Sequence, residues 1–188
     1  MRQPQPFIIS TPKSAQQGFS LFIVLMVMIV VAFLVVSVTQ SYNTEQRIST
    51  NDADHKYATT LAETALRTGE SRIATAEFEN RVTFSPNCTD ALCSPANATA
   101  GTFGDIVVQA ETGGVAAWER VTCGNNNSSC LDTNGRAVTV AGARTNPRYI
   151  IEYISTQTDG TVIYRVTAKA WGQNSNTVVI LQSYVAAS

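Results

Sequence analysis

Four cysteines carry the most constrained chemistry in this chain: Cys88 and Cys93, then Cys123 and Cys130. Disulfides persist in oxidising compartments and are rare in cytosol, so two close pairs suit an exported domain. Four cysteines allow three connectivities, and the turn-rich chain around each pair favours two local bridges, Cys88–Cys93 and Cys123–Cys130, with the crossed pairings left open. Zinc is the rival use of thiolates. The Cys-x4-Cys and Cys-x6-Cys spacings are looser than the knuckles of structural zinc sites, and no metal is expected. Catalysis would need a further constellation, and the sequence offers none. His55 stands alone beside Lys56 on a polar stretch and reads as solvated, and no phosphate- or dinucleotide-binding loop is present. The reading is therefore of a chain that is not an enzyme and takes no cofactor.

Other groups have a plain reading beside a functional one. Glu45 with Arg47, and Glu63 with Arg67, could make interchain contacts, but a solvated helix face with weak intrahelical pairs explains them first. Trp118 and Trp171 suit core packing before they suit partner anchoring. The Asn-rich stretch 124–129, bracketed by Cys123 and Cys130, offers a framed surface loop. Asn97-Ala98-Thr99 matches a glycosylation acceptor by a pattern common by chance.

Behind these residues lies a chain of 188 residues, 44% hydrophobic and 14% charged, enough for one domain plus one strongly apolar element. The net charge of -1 and the 13 scattered Lys and Arg give no basic face, which argues against nucleic acid as a partner. The apolar residues are concentrated from Phe19 to Val38, where Leu21 to Val36 is unbroken by any polar side chain. At about 1.5 Å of rise per residue, such a helix covers the roughly 30 Å of a bilayer core. A secretory signal is the rival. The run exceeds a usual signal core, and Val36-Ser37-Val38-Thr39-Gln40 is a poor match to a small-x-small cleavage site. Arg2 and Lys13 precede the span, which weakly favours a cytoplasmic N-terminus and an exported remainder.

Residues 1–18, with Pro4, Pro6 and Pro12, read as a flexible leader. Residues 39–80 read as an amphipathic continuation of the helix, reaching about Phe78. There Tyr57, Leu61 and Ala65, with Ala58, Ala62 and Leu66, form an apolar stripe. Ser49-Thr50-Asn51-Asp52 is a candidate kink or break, because such side chains compete for backbone hydrogen bonds. Gly69 is a second soft spot, costing about 1 kcal/mol against Ala.

Residues 81–188 read as a β-rich domain. It holds a loop over 86–101, a first strand within Phe103–Ala110, and three strands over Arg148–Ser155, Val162–Trp171 and Thr177–Val185. Asp159-Gly160 suits a tight hairpin turn. In the middle strand Val162, Tyr164, Val166, Ala168 and Ala170 form an apolar face, opposite a largely wet one. The fold class is thus α+β: a long N-terminal helix, transmembrane in its first half, packed on a C-terminal antiparallel β-sheet.

Gln16-Gln17-Gly18-Phe19-Ser20-Leu21, followed by the apolar run, resembles the class III signal of type IV pilins and pseudopilins. That resemblance implies cleavage by a prepilin peptidase after Gly18 and methylation of the new N-terminus at Phe19. The fifth residue from Phe19 is Ile23, where the family commonly places a Glu thought to neutralise a neighbouring subunit's N-terminal amine in the apolar filament core. Tyr42-Asn43-Thr44-Glu45-Gln46-Arg47-Ile48 and Ala62 to Glu70 resemble the PilX and PilK group of minor pilins, which also lack that Glu. The stretches Arg148–Tyr153, Tyr164–Gly172 and Val179–Val185 are similar to the neisserial PilK form.

The resemblance implies a type IV pilin-like minor pilin that joins other minor pilins in a tip complex priming pilus assembly. Its implied partners are those pilins, the major pilin, the prepilin peptidase, a tip adhesin and the inner-membrane assembly platform. Its implied place is the bacterial inner membrane, with a single pass and a periplasmic C-terminal domain, and then the pilus tip. Two alternatives are a K-type pseudopilin of a type II secretion system, for which the domain leaves little room, and an unrelated single-pass periplasmic binding protein.

Overall fold

The computed structural model describes residues 17–75, 78, 81–121, 123 and 128–188. It forms two compact units, Met1–Ser49 and Thr50–Ser188. The helix α1, Gln17–Ile73, contains no proline, the residue that would remove a backbone donor and clash with the preceding turn. It stays helical through Ser49-Thr50-Asn51-Asp52, although the two units divide between Ser49 and Thr50. The hydroxyls of Thr59, Thr60, Thr64 and Thr68 donate to carbonyls four residues earlier, so they satisfy themselves without opening the helix. The helix stops at Ile73, before the expected Phe78. Two successive turns, Thr75 N–H to the Arg72 carbonyl and Phe78 N–H to the Thr75 carbonyl, carry the chain off the helical path. They bring the Phe78 ring edge-on to Tyr164 at 5.5 Å and to Phe84 at 6.3 Å.

The second unit holds two sheets. In the smaller, β1 (Val82–Phe84) runs parallel to β4 (Ile106–Val108), which pairs antiparallel with β3 (Gly101–Phe103). The single strand expected over Phe103–Ala110 is therefore a hairpin, turned at Gly104 with φ 59°, a conformation that glycine adopts without steric cost.

In the larger sheet β6 (Arg148–Thr156), β7 (Val162–Trp171) and β8 (Val178–Ala187) form the antiparallel meander. Two short strands flank β6: β2 (Leu92–Cys93), parallel to it, and β5 (Arg136–Ala137), antiparallel to it. The sheet is thus mixed. A two-residue strand leaves no alternation in sequence by which to find it.

On one face of this sheet lies the stripe of α1. Ala65 packs into a cluster with Tyr149, Ile151, Tyr153, Tyr164, Val166 and Ala168, and Ala58, Leu61 and Ala62 pack with Ala170 and Val179. The helix can come this close because three of the four buried stripe residues, Ala58, Ala62 and Ala65, are alanine. At Gly69 the approach is closest: an added Cβ would stand 2.6 Å from Val166 Cγ1 and 2.9 Å from Tyr149 Cδ2. Gly69 is a contact point, and its cost in helix propensity is offset by packing.

Candidate assembly surfaces

In the first unit the site is the apolar segment itself. Phe19–Val38 has a mean hydropathy of 3.3 and none of it is buried, so every side chain is available to lipid or to another helix. A helix of this length and composition is able to anchor in a membrane. Phe19 is 71% exposed and Ile23 is 48% exposed, with only apolar side chains between Leu21 and Val36. A carboxylate at position 23 would be the only charge in this run. Residues 1–16 of the leader lie outside the described residues, and of Gly18 only its place in the first turn of α1 is described.

In the second unit the face of the sheet opposite α1 is built from side chains that the sequence marked as wet. It is instead covered by the cysteine-bearing segment. Ile150 of β6 packs there with Cys88, Ala91, Cys93, Ala117, Cys130 and Leu131. Glu152 is fully buried beside it, because its carboxylate accepts from both Nε and Nη2 of Arg165 at 2.8 Å and from the Ala117 amide at 3.1 Å. That carboxylate in turn raises the Arg165 pKa above its ordinary value, chiefly through the hydrogen bond. One strand away Lys169 meets Asp132 at 2.7 Å and lies 5.1 Å from the Trp171 ring centroid. Each charge on this face has found a partner, which is why burial is tolerated.

The covering segment is held by two devices. Disulfides join Cys88 to Cys93 and Cys123 to Cys130, and the Cys88, Cys123 and Cys130 sulfurs lie within 4.8 Å of one another. The first bridge closes a loop with Cys88, Asp90 and Ala91 at φ between 54° and 62°, a left-handed conformation unfavourable for residues with a Cβ. Asp90 receives Arg72 of α1, which also donates to its carbonyl at 2.9 Å.

The second device is Arg120, nearly fully buried, which donates to the carbonyls of Pro86, Ser94 and Val115 at 2.7 to 3.1 Å and stands 3.6 Å from Glu111. Sequence reasoning missed both Glu152 and Arg120. An isolated charge in a strand or loop looks like surface until its partners, here up to 35 residues away, are known.

The remaining candidates fall into place individually. Trp118 is half-buried against the cystine cluster, and Trp171 is half-buried under Lys169. His55, Glu45, Arg47, Glu63 and Arg67 are exposed on α1. Asn97 is exposed, while residues 124–127 of the Asn-rich loop lie outside the described residues.

Asp54 ties the helix to the sheet by accepting from the Gln173 and Asn174 amides in the β7–β8 turn. Its pKa is lowered, first by a hydrogen bond from the Thr177 side chain and then by those amides. Tyr164 is buried, and desolvation, aided by Tyr153, raises its phenol to about 12.

Among comparisons with known proteins, a family model described as "Type IV pilus assembly protein PilX C-term" matches residues 37–187. No curated protein and no solved structure matches the chain.

Proposed function

The chain belongs to the PilX family of type IV pilus assembly proteins, and on that premise we propose that it is a minor pilin of the tip complex that primes pilus assembly. The observation carrying this reading is the wholly exposed apolar helix Phe19–Val38, set directly after Gly18 and attached to a domain of the family. A prepilin peptidase cutting between Gly18 and Phe19 leaves that helix on the mature chain, where it serves first as a bilayer anchor and then as a packing element among other pilins. The N-terminus is cytoplasmic and residues 81–188 are periplasmic. The two disulfides favour an oxidising compartment for that domain. Phe19 is the methylated residue, and within the group the chain is of the PilK form.

Ile23 supports the place at the tip. An uncharged residue there offers no carboxylate to the amine of a subunit docked above, and burying that amine unpaired is costly. Its partners are other minor pilins and, through them, the major pilin, a tip adhesin and the assembly platform. The protein acts by packing and display, without catalysis, cofactor or nucleic acid.

Incubation of the full chain with a prepilin peptidase tests the reading. The expected result is a mass loss equal to residues 1–18, and an unchanged mass removes the pilin processing on which the proposal stands. Cross-linking from the second unit to co-purified pilus proteins then tests the partners. Finally, an Ile23→Glu protein still found only at filament tips would remove the electrostatic reason given for that place.

A further inference from the structure

Tyr164 of β7 is only 3% exposed, yet its hydroxyl has no hydrogen-bond partner among the described residues. Its strand neighbour Tyr153 does better, pairing its hydroxyl with that of Thr156 at 2.9 Å. A buried hydroxyl left unpaired is unfavourable. The Tyr164 ring cannot turn away to relieve it, because Phe78 and Phe84 hold it at 5.5 and 5.9 Å. Tyr164 lines a cleft of about 570 Å³ between the turn that ends α1, the β3–β4 hairpin and the paired ends of β7 and β8. Ligand sites commonly have volumes of about 300–1,000 Å³.

The polar groups of this cleft are acceptors. Asp105 is the one lining residue with a charged side chain, and its exposed carboxylate is unpaired among the described residues. Thr75 donates its hydroxyl hydrogen to the Arg72 carbonyl at 2.6 Å, which leaves the oxygen's lone pairs for a donor. Ile73 closes α1 against the cleft, so the last carbonyls of that helix bring the negative end of its dipole there. Phe78 and Phe103 add aromatic surface that attracts cations and packs on alkyl chains. An anion is disfavoured by each of these groups, and a purely apolar ligand would leave Tyr164 and Asp105 unpaired.

We propose that this cleft binds a primary ammonium carried on an alkyl chain, with Asp105 as its counter-ion and the Tyr164 and Thr75 oxygens as acceptors. An ammonium is a compact charge with three donors and no acceptor, the complement of a site that offers acceptors and one negative charge. Phe78 and Phe103 take the methylene chain. Two sources supply this chemistry, a free alkyl diamine and the lysine side chain of another protein. The site goes beyond the pilin reading and does not depend on a place at the tip.

The test titrates the full chain in detergent with 1,5-diaminopentane and, separately, with Nα-acetyl-lysine methylamide, and follows the backbone amides by NMR. Saturable shifts at Ile106 and Val185 are expected with at least one of them. Tighter binding of the diamine assigns the site to free amines, and tighter binding of the lysine amide assigns it to a protein side chain. No saturable shift with either overturns the proposal, as does equal binding of the uncharged 1-pentanol. Tyr164→Phe keeps the ring packing and removes only the acceptor, so it should weaken binding about tenfold, as loss of a hydrogen bond to a charged group does. Asp105→Asn should weaken it about threefold, as expected of an exposed ion pair. Glu63→Gln, on the exposed side of α1, should leave the affinity unchanged. An undiminished affinity in the Tyr164→Phe protein, with its amide spectrum otherwise that of the wild type, would refute the site.

Discussion

Replacing Gly69 by alanine sets two effects of known size against each other. In an open helix interior the change stabilises by about 1 kcal/mol, because alanine loses less backbone entropy than glycine. In this protein the new methyl would stand 2.6 Å from Val166 Cγ1 and 2.9 Å from Tyr149 Cδ2, both fully or nearly fully buried and unable to withdraw freely. Overpacking of this kind costs about 1–3 kcal/mol, so the helix must shift off the sheet and the net effect is a loss of about 1–2 kcal/mol. Chemical denaturation of the full chain, followed by Trp118 and Trp171 fluorescence, reads this as a lowered midpoint with an unchanged slope. Val166→Ala opens the space that the methyl needs. The Gly69→Ala/Val166→Ala protein should therefore lose less than the sum of the single changes, by about 1 kcal/mol. A Gly69→Ala protein more stable than the wild type would refute the close approach of α1 to β6 and β7, since only propensity would then be acting.

Three further outcomes are expected. Glu152→Gln and Arg165→Met should each cost about 3–5 kcal/mol, because each leaves a buried charge without its partner. The double variant should cost much less than their sum, in the same denaturation assay. Replacing Cys88 and Cys93 together by serine should cost about 2 kcal/mol of chain entropy for so small a loop, and the same change at Cys123 and Cys130 about as much. Tyr164 is protonated in both states below pH 10, so its contribution is intact there. Between pH 10 and about 12 the unfolded phenol ionises while the folded one holds its proton, and stability falls by up to about 2–3 kcal/mol. A Tyr164→Phe protein should show a shallower alkaline loss in thermal melts across that interval, and an unchanged slope would exclude Tyr164 as the cause.

The elements legible in sequence were those with a long, regular pattern. A twenty-residue apolar segment, an apolar stripe at four-residue spacing and three strands rich in Ile, Val, Tyr and Thr announce themselves locally, because helix and strand periodicity need only nearby residues. That was enough for the α+β class, for Phe19–Val38 and for the inward face of β7. What escaped was set by contacts between distant segments: the parallel docking of two-residue β2 on β6, the turn after Ile73 that packs Phe78 against Tyr164 and Phe84, and the cover over the outer sheet face. The last is the plainest case. Arg165 and Lys169 carry the signature of a wet face, and only the fold supplies Glu152 and Asp132 to neutralise them beneath the cystine-braced segment. Gly69 likewise reads as a weak point along the helix and becomes a close contact only in three dimensions. Charge and volume are properties of a residue, whereas desolvation and fit belong to its neighbours, and those are chosen by tertiary structure.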